Sequence, residues 1–173
     1  MSFRIRPIEA GDLEIVRAVV SSYAEELARS DQEAAEQLRH EAEDDLCSFP
    51  QIRKRYFQSG GTLMVMTDRD RIIGLGGVRR SSPDICELHL LVFMRAFRGR
   101  GLGHEMALSL IEWARDNDYG AMRLEVSRRQ TDAVKLFSQL RFVALETASS
   151  SSHHGPEELT YELDLRRKSR LAL

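Results

Sequence analysis

Arg98-Gly99-Arg100-Gly101-Leu102-Gly103 lies between two runs of different period. Before it, Glu87-Leu88-His89-Leu90-Leu91-Val92-Phe93 is apolar and rich in strand formers. After it, Met106, Ala107, Leu110, Ile111 and Ala114 recur at helical spacing. A glycine-rich turn that opens a helix aims several backbone N–H groups into one small space. The first N–H groups of a helix lack internal partners, and the helix dipole adds partial positive charge there. Such a turn binds phosphate. Its glycines allow close approach of the anion, and Arg98 and Arg100 add charge-assisted donors. The stretch therefore predicts a phosphorylated ligand, with a glycine-rich turn that holds no ligand as the competing reading.

Outward from this turn the chain reads as alternating strands and helices. Phe3-Arg4-Ile5-Arg6 alternates as a half-buried strand. Asp12 then caps a helix carrying Leu13, Val16, Val20, Tyr23 and Leu27 on one face and running to about Ala28. A second, mostly charged helical segment spans Ser30 to Leu46, with Ala35, Leu38, Ala42 and Leu46 as its apolar stripe. Gly60-Gly61 is a turn. Thr62 to Thr67 and Arg71 to Arg79 form a strand pair joined by Asp68-Arg69-Asp70, and Ser81-Ser82-Pro83 breaks the chain before the strand Ile85 to Phe93. The helix after the glycine turn ends near Asn117. Ala121 to Val126 is a strand, and Thr131-Asp132 caps a helix with Ala133, Val134, Phe137 and Leu140 inside. Phe142 to Glu146 and Leu159 to Leu165 are two final strands joined by a serine-rich loop. The order β-α-α-β-β-β-α-β-α-β-β predicts one α/β domain around a mixed, mostly antiparallel sheet. It spans residues 1–166, followed by a basic, solvated tail at 167–173.

At 173 residues the chain is long enough for one real core, and its net charge of -2 makes no case for nucleic-acid binding. Its apolar runs are too short to span a bilayer, and Met1-Ser2-Phe3-Arg4-Ile5-Arg6 lacks an apolar signal core. Cys47 and Cys86 make neither a disulfide framework nor a metal cluster. The expectation is a cytoplasmic protein without nucleic-acid, membrane or metal partners.

A nucleoside triphosphate site needs Lys followed by Ser or Thr after the last glycine, and His104-Glu105 stands there instead. A dinucleotide fingerprint needs a third glycine where His104 lies, although Glu125 sits about where a ribose-binding acid would. The element order separates the readings that remain. The chain resembles the GNAT superfamily of acetyl-CoA-dependent acyltransferases from Phe3 to Leu165. The family's Gln/Arg-x-x-Gly-x-Gly/Ala signature is matched by Arg98, Gly101 and Gly103. The preceding strand Cys86 to Phe93 and the late helix Ala133-Val134-Lys135-Leu136-Phe137-Ser138-Gln139-Leu140-Arg141-Phe142 flank it in the family's order.

The resemblance implies acetyl-CoA as acyl donor. Backbone groups of Arg98, Gly99, Arg100, Gly101, Leu102, Gly103 and His104 would cradle its pyrophosphate. The main chain of Leu91, Val92 and Phe93 would pair with the pantetheine arm like an added strand, exposed by a bulge that splays this strand from its neighbour. Gln130, where asparagine is commoner, and Ala133 would flank the same arm, with Phe137 behind them. The family's tyrosine for protonating the departing thiolate has become Phe137. A thiol pKa near 8.5 makes the thiolate a tolerable leaving group without it.

Glu87 stands where many relatives place a general base, and alternation puts Glu87, His89, Leu91 and Phe93 on one face. A structural ion pair with an arginine is the competing role for Glu87. His89 is read as positioning substrate. The resemblance thus points to an N-acetyltransferase acting on the amine of a small molecule or amino-acid-like compound, with a non-catalytic acyl-CoA sensor or interaction module as the alternative. It leaves a homodimer open. Asp31, Glu33, Glu36, Glu41, Glu43, Asp44 and Asp45 either attract a cationic amine or form a solvated helix face. In Ser149-Ser150-Ser151-Ser152-His153-His154-Gly155, His153 or His154 faces the acceptor or sits in a plain hairpin loop. Arg141 follows the late helix where relatives carry glycine, which predicts a left-handed backbone there.

Overall fold

A computed structural model describes residues 2–145 and 158–166. The chain runs β1 (Phe3–Pro7), α1 (Leu13–Leu27), α2 (Gln32–Asp45), α3 (Phe49–Arg55), β2 (Thr62–Asp68), β3 (Arg71–Arg80) and β4 (Ile85–Phe93). It continues through α4 (Leu102–Asp116), β5 (Ala121–Ser127), α5 (Thr131–Gln139), β6 (Val143–Ala144) and β7 (Glu158–Asp164). The strands form one sheet in the order β1-β2-β3-β4-β5-β7-β6. Among the described residues only β4 and β5 pair in parallel; every other neighbour is antiparallel. The crossover between the parallel pair is α4, which is what a parallel connection requires.

Two apolar clusters cover the two sides of the sheet. Val16, Val19 and Val20 of α1 and Ile52 of α3 pack with Leu63, Val65, Leu75, Leu90 and Val92. On the other side Met106, Leu110 and Ile111 of α4 and Phe137 of α5 pack with Ile73, Val78, Cys86, Leu88, Phe93, Met122 and Leu124.

The helix α3 is absent from the sequence-based order. Seven residues are too few for periodicity to register. Its start is nonetheless written in Ser48, whose side chain caps the Gln51 N–H, and in Pro50 in the first turn. The strand expected at Phe142 to Glu146 is shorter, Val143–Ala144 within the described residues.

Strand β4 carries the main irregularity. Leu75 lies opposite Val92 and Gly77 opposite His89, so Leu90 and Leu91 together face Gly76. Leu90 takes the left-handed region at φ 54, uncommon for a branched side chain. One extra residue reverses every later side chain. Cys86 and Leu88 lie on the α4 side, whereas Leu90 and Val92 lie on the α1 side. The expected common face for Glu87, His89, Leu91 and Phe93 is therefore wrong. Leu91 and Phe93 join the α4 cluster, and Glu87 shares the opposite side with its register partner Arg79.

Candidate active site

β4 and β5 pair only at Ile85–Ala121, Cys86–Met122 and Glu87–Arg123. Beyond these positions Leu124 to Ser127 pair with β7, and no ladder joins Leu88–Phe93 to β5. A groove thus opens beside β4 at Glu87 and runs toward the glycine turn.

The turn itself is built by backbone conformation. Arg98 is extended, while Gly99 and Gly101 sit at φ 73 and 77. A Cβ on either would meet nothing within 4 Å, so glycine is needed for the left-handed backbone and leaves open space in front of it. Gly101 is the N-cap of α4 and offers no side chain to its first N–H groups. Those of Leu102, Gly103 and His104 are the orphan donors of a fifteen-residue helix. An ideal Cβ on Gly103 lies 3.8 Å from Leu136, which brings α5 against the same turn. Gln130 is the N-cap of α5, Ala133 is half-buried in its first turn, and Phe137 is buried edge-on to Phe142 at 5.5 Å.

The Arg98 side chain departs from the expected role of anion donor. Its Nε donates to the Phe93 carbonyl at 3.0 Å, its guanidinium pairs with Glu26 at 2.8 Å, and it stacks 4.7 Å above the Tyr23 ring. It ties the turn to α1. The Arg100 guanidinium lies 5.6 Å from the Phe97 ring centroid. A separate cleft of about 450 Å3, walled by Ile15, Val19, Ile72 and Met94, reaches the turn at Arg98 from the β3 side.

At the mouth of the groove Glu87 and His89 meet Glu41 of α2. His89 Nε2 is 3.2 Å from Glu87 Oε2, and Nδ1 contacts Glu41 Oε1. Burial opposes a charge on His89, but hydrogen bonds to the two carboxylates outweigh it and push the imidazole up to about 9. Glu87 is held below the usual carboxylate range by its hydrogen bond to His89 against the cost of burial, with Ser81 and the His89 and Arg79 charges assisting. The partner of Glu87 is thus chiefly a histidine, and His89 is engaged on both ring nitrogens.

Reading the acidic segment as one solvated face misses this arrangement. Asp31 is buried, caps Ala34 and accepts a 2.5 Å hydrogen bond from Ser127 Oγ at the end of β5. Asp45 is fully buried. It accepts from Tyr56 Oη at 2.6 Å, lies 3.5 Å from Arg79, and makes a 2.6 Å ion pair with Arg55 Nε whose angle is not that of a hydrogen bond. The signal was available: Leu38, Glu41, Ala42 and Asp45 follow i, i+3, i+4, i+7, which puts both carboxylates on the apolar face. His153 and His154 lie outside the described residues, as does the 167–173 tail. Among the described residues no group of three His, Cys, Asp or Glu side chains could hold a metal, and no helix is long and apolar enough to cross a membrane.

The acetyltransferase (GNAT) family matches residues 22–142. The chain belongs to this family. The uncharacterized N-acetyltransferase YjgM of Escherichia coli (strain K12) is 31% identical over 102 residues, 57% of this chain and 61% of that protein. Mycothiol acetyltransferase of Corynebacterium glutamicum (strain R) is 26% identical over 97 residues, 56% of this chain and 33% of its own length. The matches therefore span less than two thirds of these relatives. Among solved structures, a GNAT-family acetyltransferase from Staphylococcus aureus Mu50 superposes with a TM-score of 0.77 at 16% identity, covering 95% of this chain and 99% of its own. The PaiA N-acetyltransferase of Thermoplasma acidophilum, solved with coenzyme A, gives 0.75 at 16% identity over 95% and 99%. Both share the fold.

Proposed function

We propose that the protein transfers the acetyl group of acetyl-CoA to the amine of a small molecule or amino-acid-like acceptor, by direct attack with Glu87 as general base. The observation that carries this reading is the uncapped N-terminus of α4 at the end of a strand that, among the described residues, does not pair with β5 beyond Glu87. The open space before Gly99 and Gly101 suits a pyrophosphate. The edge of β4 suits the amides of a pantetheine arm. Arg98 to His104 would hold the first through their backbone, Leu91 to Phe93 the second, and the start of α5 at Gln130 and Ala133 would close the far side. The acetyltransferase names of relatives and the coenzyme A complex of a fold neighbour support this.

Bound acetyl-CoA supplies the activated thioester carbonyl. An alkylamine with pKa about 10.4 is neutral in only roughly one molecule in two thousand at pH 7, so proton removal is the protein's task. Glu87 is ionised, half-exposed and placed where β4 leaves β5. It takes the ammonium proton directly or through water. The C–N bond forms, the nitrogen sheds its second proton to water, the C–S bond breaks, and the sulfur leaves as thiolate, which needs no acid from the Phe137 position. A cytoplasmic setting belongs to the proposal and is in keeping with the free thiols Cys47 and Cys86.

The test is thermal unfolding with acetyl-CoA, followed by release of free CoA thiol across a panel of primary amines. Cofactor at a hundredfold excess over Kd adds about 2.7 kcal/mol, roughly 5–11 °C for a chain of this size. No shift at millimolar cofactor overturns the reading. A shift with no thiol release from any amine replaces it with the acyl-CoA sensor.

A further inference from the structure

His89 lies between Glu41 and Glu87, with one carboxylate on each ring nitrogen. A neutral imidazole has one N–H and one lone pair, so it satisfies one carboxylate and repels the other. Only the imidazolium donates to both. The side chain is 19% exposed, and burial alone would favour the neutral ring. The second carboxylate, from α2, therefore keeps the proton in place.

We propose that Glu41 is a positioning residue: it fixes His89 as a cation, and that cation holds the Glu87 carboxylate ionised and oriented where β4 parts from β5. The proposal rests on Glu87 being the base in the reading above. The charged surroundings agree with it. Arg79 of β3, the register partner of Glu87, is paired with Asp45, which also receives Tyr56 and Arg55. Arg123 of β5, the other neighbour of Glu87 in the sheet, is paired with Glu162 at 2.7 Å. Ser81, in the turn before β4, helps to hold the Glu87 carboxyl down. These two neighbouring arginines are thus engaged by other carboxylates, and among the described residues His89 is the cation hydrogen-bonded to Glu87.

The arrangement also assigns His89 a role. With both nitrogens donating it neither accepts the ammonium proton nor binds acceptor, so the expectation that it positions substrate is replaced by one in which it positions Glu87. The bridge carries net charge -1, two carboxylates against one imidazolium, and so favours an acceptor that arrives as an ammonium ion.

The experiment is Glu41→Gln, close to isosteric, read by NMR titration of the His89 ring and by pH profiles of kcat/KM. His89→Gln assigns the resonance, and a thermal melt establishes folding. In Glu41→Gln the His89 midpoint should fall by two or more pH units. The acid limb of kcat/KM should move up by about one unit, costing about tenfold below the limb and nothing above it, with KM for acetyl-CoA within twofold of the parent. The double variant Glu41→Gln/His89→Gln should be no slower than His89→Gln alone, because Glu41 acts through His89. An unchanged His89 midpoint, or a loss of activity equal at every pH, would overturn the proposal. Because the NMR arm needs no turnover, a parent protein that transfers no acetyl group refutes the function while leaving the bridge itself decided. If Glu41→Gln does not fold, Glu41→Asp replaces it, and the same His89 midpoint as in the parent at lower activity counts against the role.

Discussion

Glu26, in the last turn of α1, pairs at 2.8 Å with Arg98, the residue that opens the glycine turn. Arg98 also donates to the Phe93 carbonyl and stacks on Tyr23. The turn is therefore held in shape from the α1 side. Removing a hydrogen-bonded charge of this kind costs about 1–3 kcal/mol. Arg98→Ala should lower Tm accordingly and weaken acetyl-CoA binding by isothermal titration, and Glu26→Ala should reproduce both effects. Weakened binding in Arg98→Ala with Tm intact would mean that the guanidinium touches the cofactor instead.

Arg141 adopts φ 68 just after α5. Its N–H bonds the Ser138 carbonyl and the Phe142 N–H bonds that of Phe137, which together make a left-handed helix stop. A side chain there costs about 1–2 kcal/mol, offset by about 0.4–1 kcal/mol for the greater freedom of an unfolded glycine. Arg141→Gly should raise Tm by a few degrees at unchanged denaturant slope, and a lower Tm would show that the Arg141 side chain contributes more than its backbone costs.

His89 also sets a pH dependence of stability. Its folded pKa, about 9, lies above the ordinary 6.5, so the folded state binds the proton more tightly. The stabilisation is complete below 6.5 and is lost as pH rises through 9, at most on the order of 3 kcal/mol. Urea midpoints should fall between pH 6.5 and 9 for the parent and stay nearly flat for His89→Gln. Glu87, shifted downward, contributes in the opposite sense and only in acid, outside this window.

Asp45 joins α2 to α3 and β3 through Arg55, Tyr56 and Arg79. Asp45→Ala leaves a buried hydroxyl and two guanidinium groups without their carboxylate, a loss of about 3–5 kcal/mol. The unfolding free energy measured in denaturant should drop by that amount. A change under 1 kcal/mol would show that water replaces the carboxylate at no cost.

The glycine turn was legible because its geometry is local: backbone conformation and helix start lie within six consecutive residues. The helices α1 and α4 were legible because fifteen residues of apolar periodicity announce them. The site beside the turn was less so. Alternation counts residues two by two, and although the resemblance implies a bulge in this strand, nothing in His89-Leu90-Leu91 places it at Leu90. Glu41 and Asp45 were hidden by their company, since an acidic helix reads as solvated until its partners His89, Arg55 and Arg79 are brought from other elements. Net charge is a property of the segment, whereas burial belongs to each side chain.

Leu90 makes β4 a swivel. Upstream of it the side facing α2 carries Glu87 and His89; downstream the same side carries Leu90 and Val92. The swivel divides one strand into a chemical half and a greasy half without any change of sheet. Shortening the strand by that one residue would leave its composition almost untouched while turning Glu87 and His89 together away from Glu41 of α2, or Val92 away from α1. An engineer wishing to relocate this chemistry would do better to move the swivel along the strand than to exchange side chains around it.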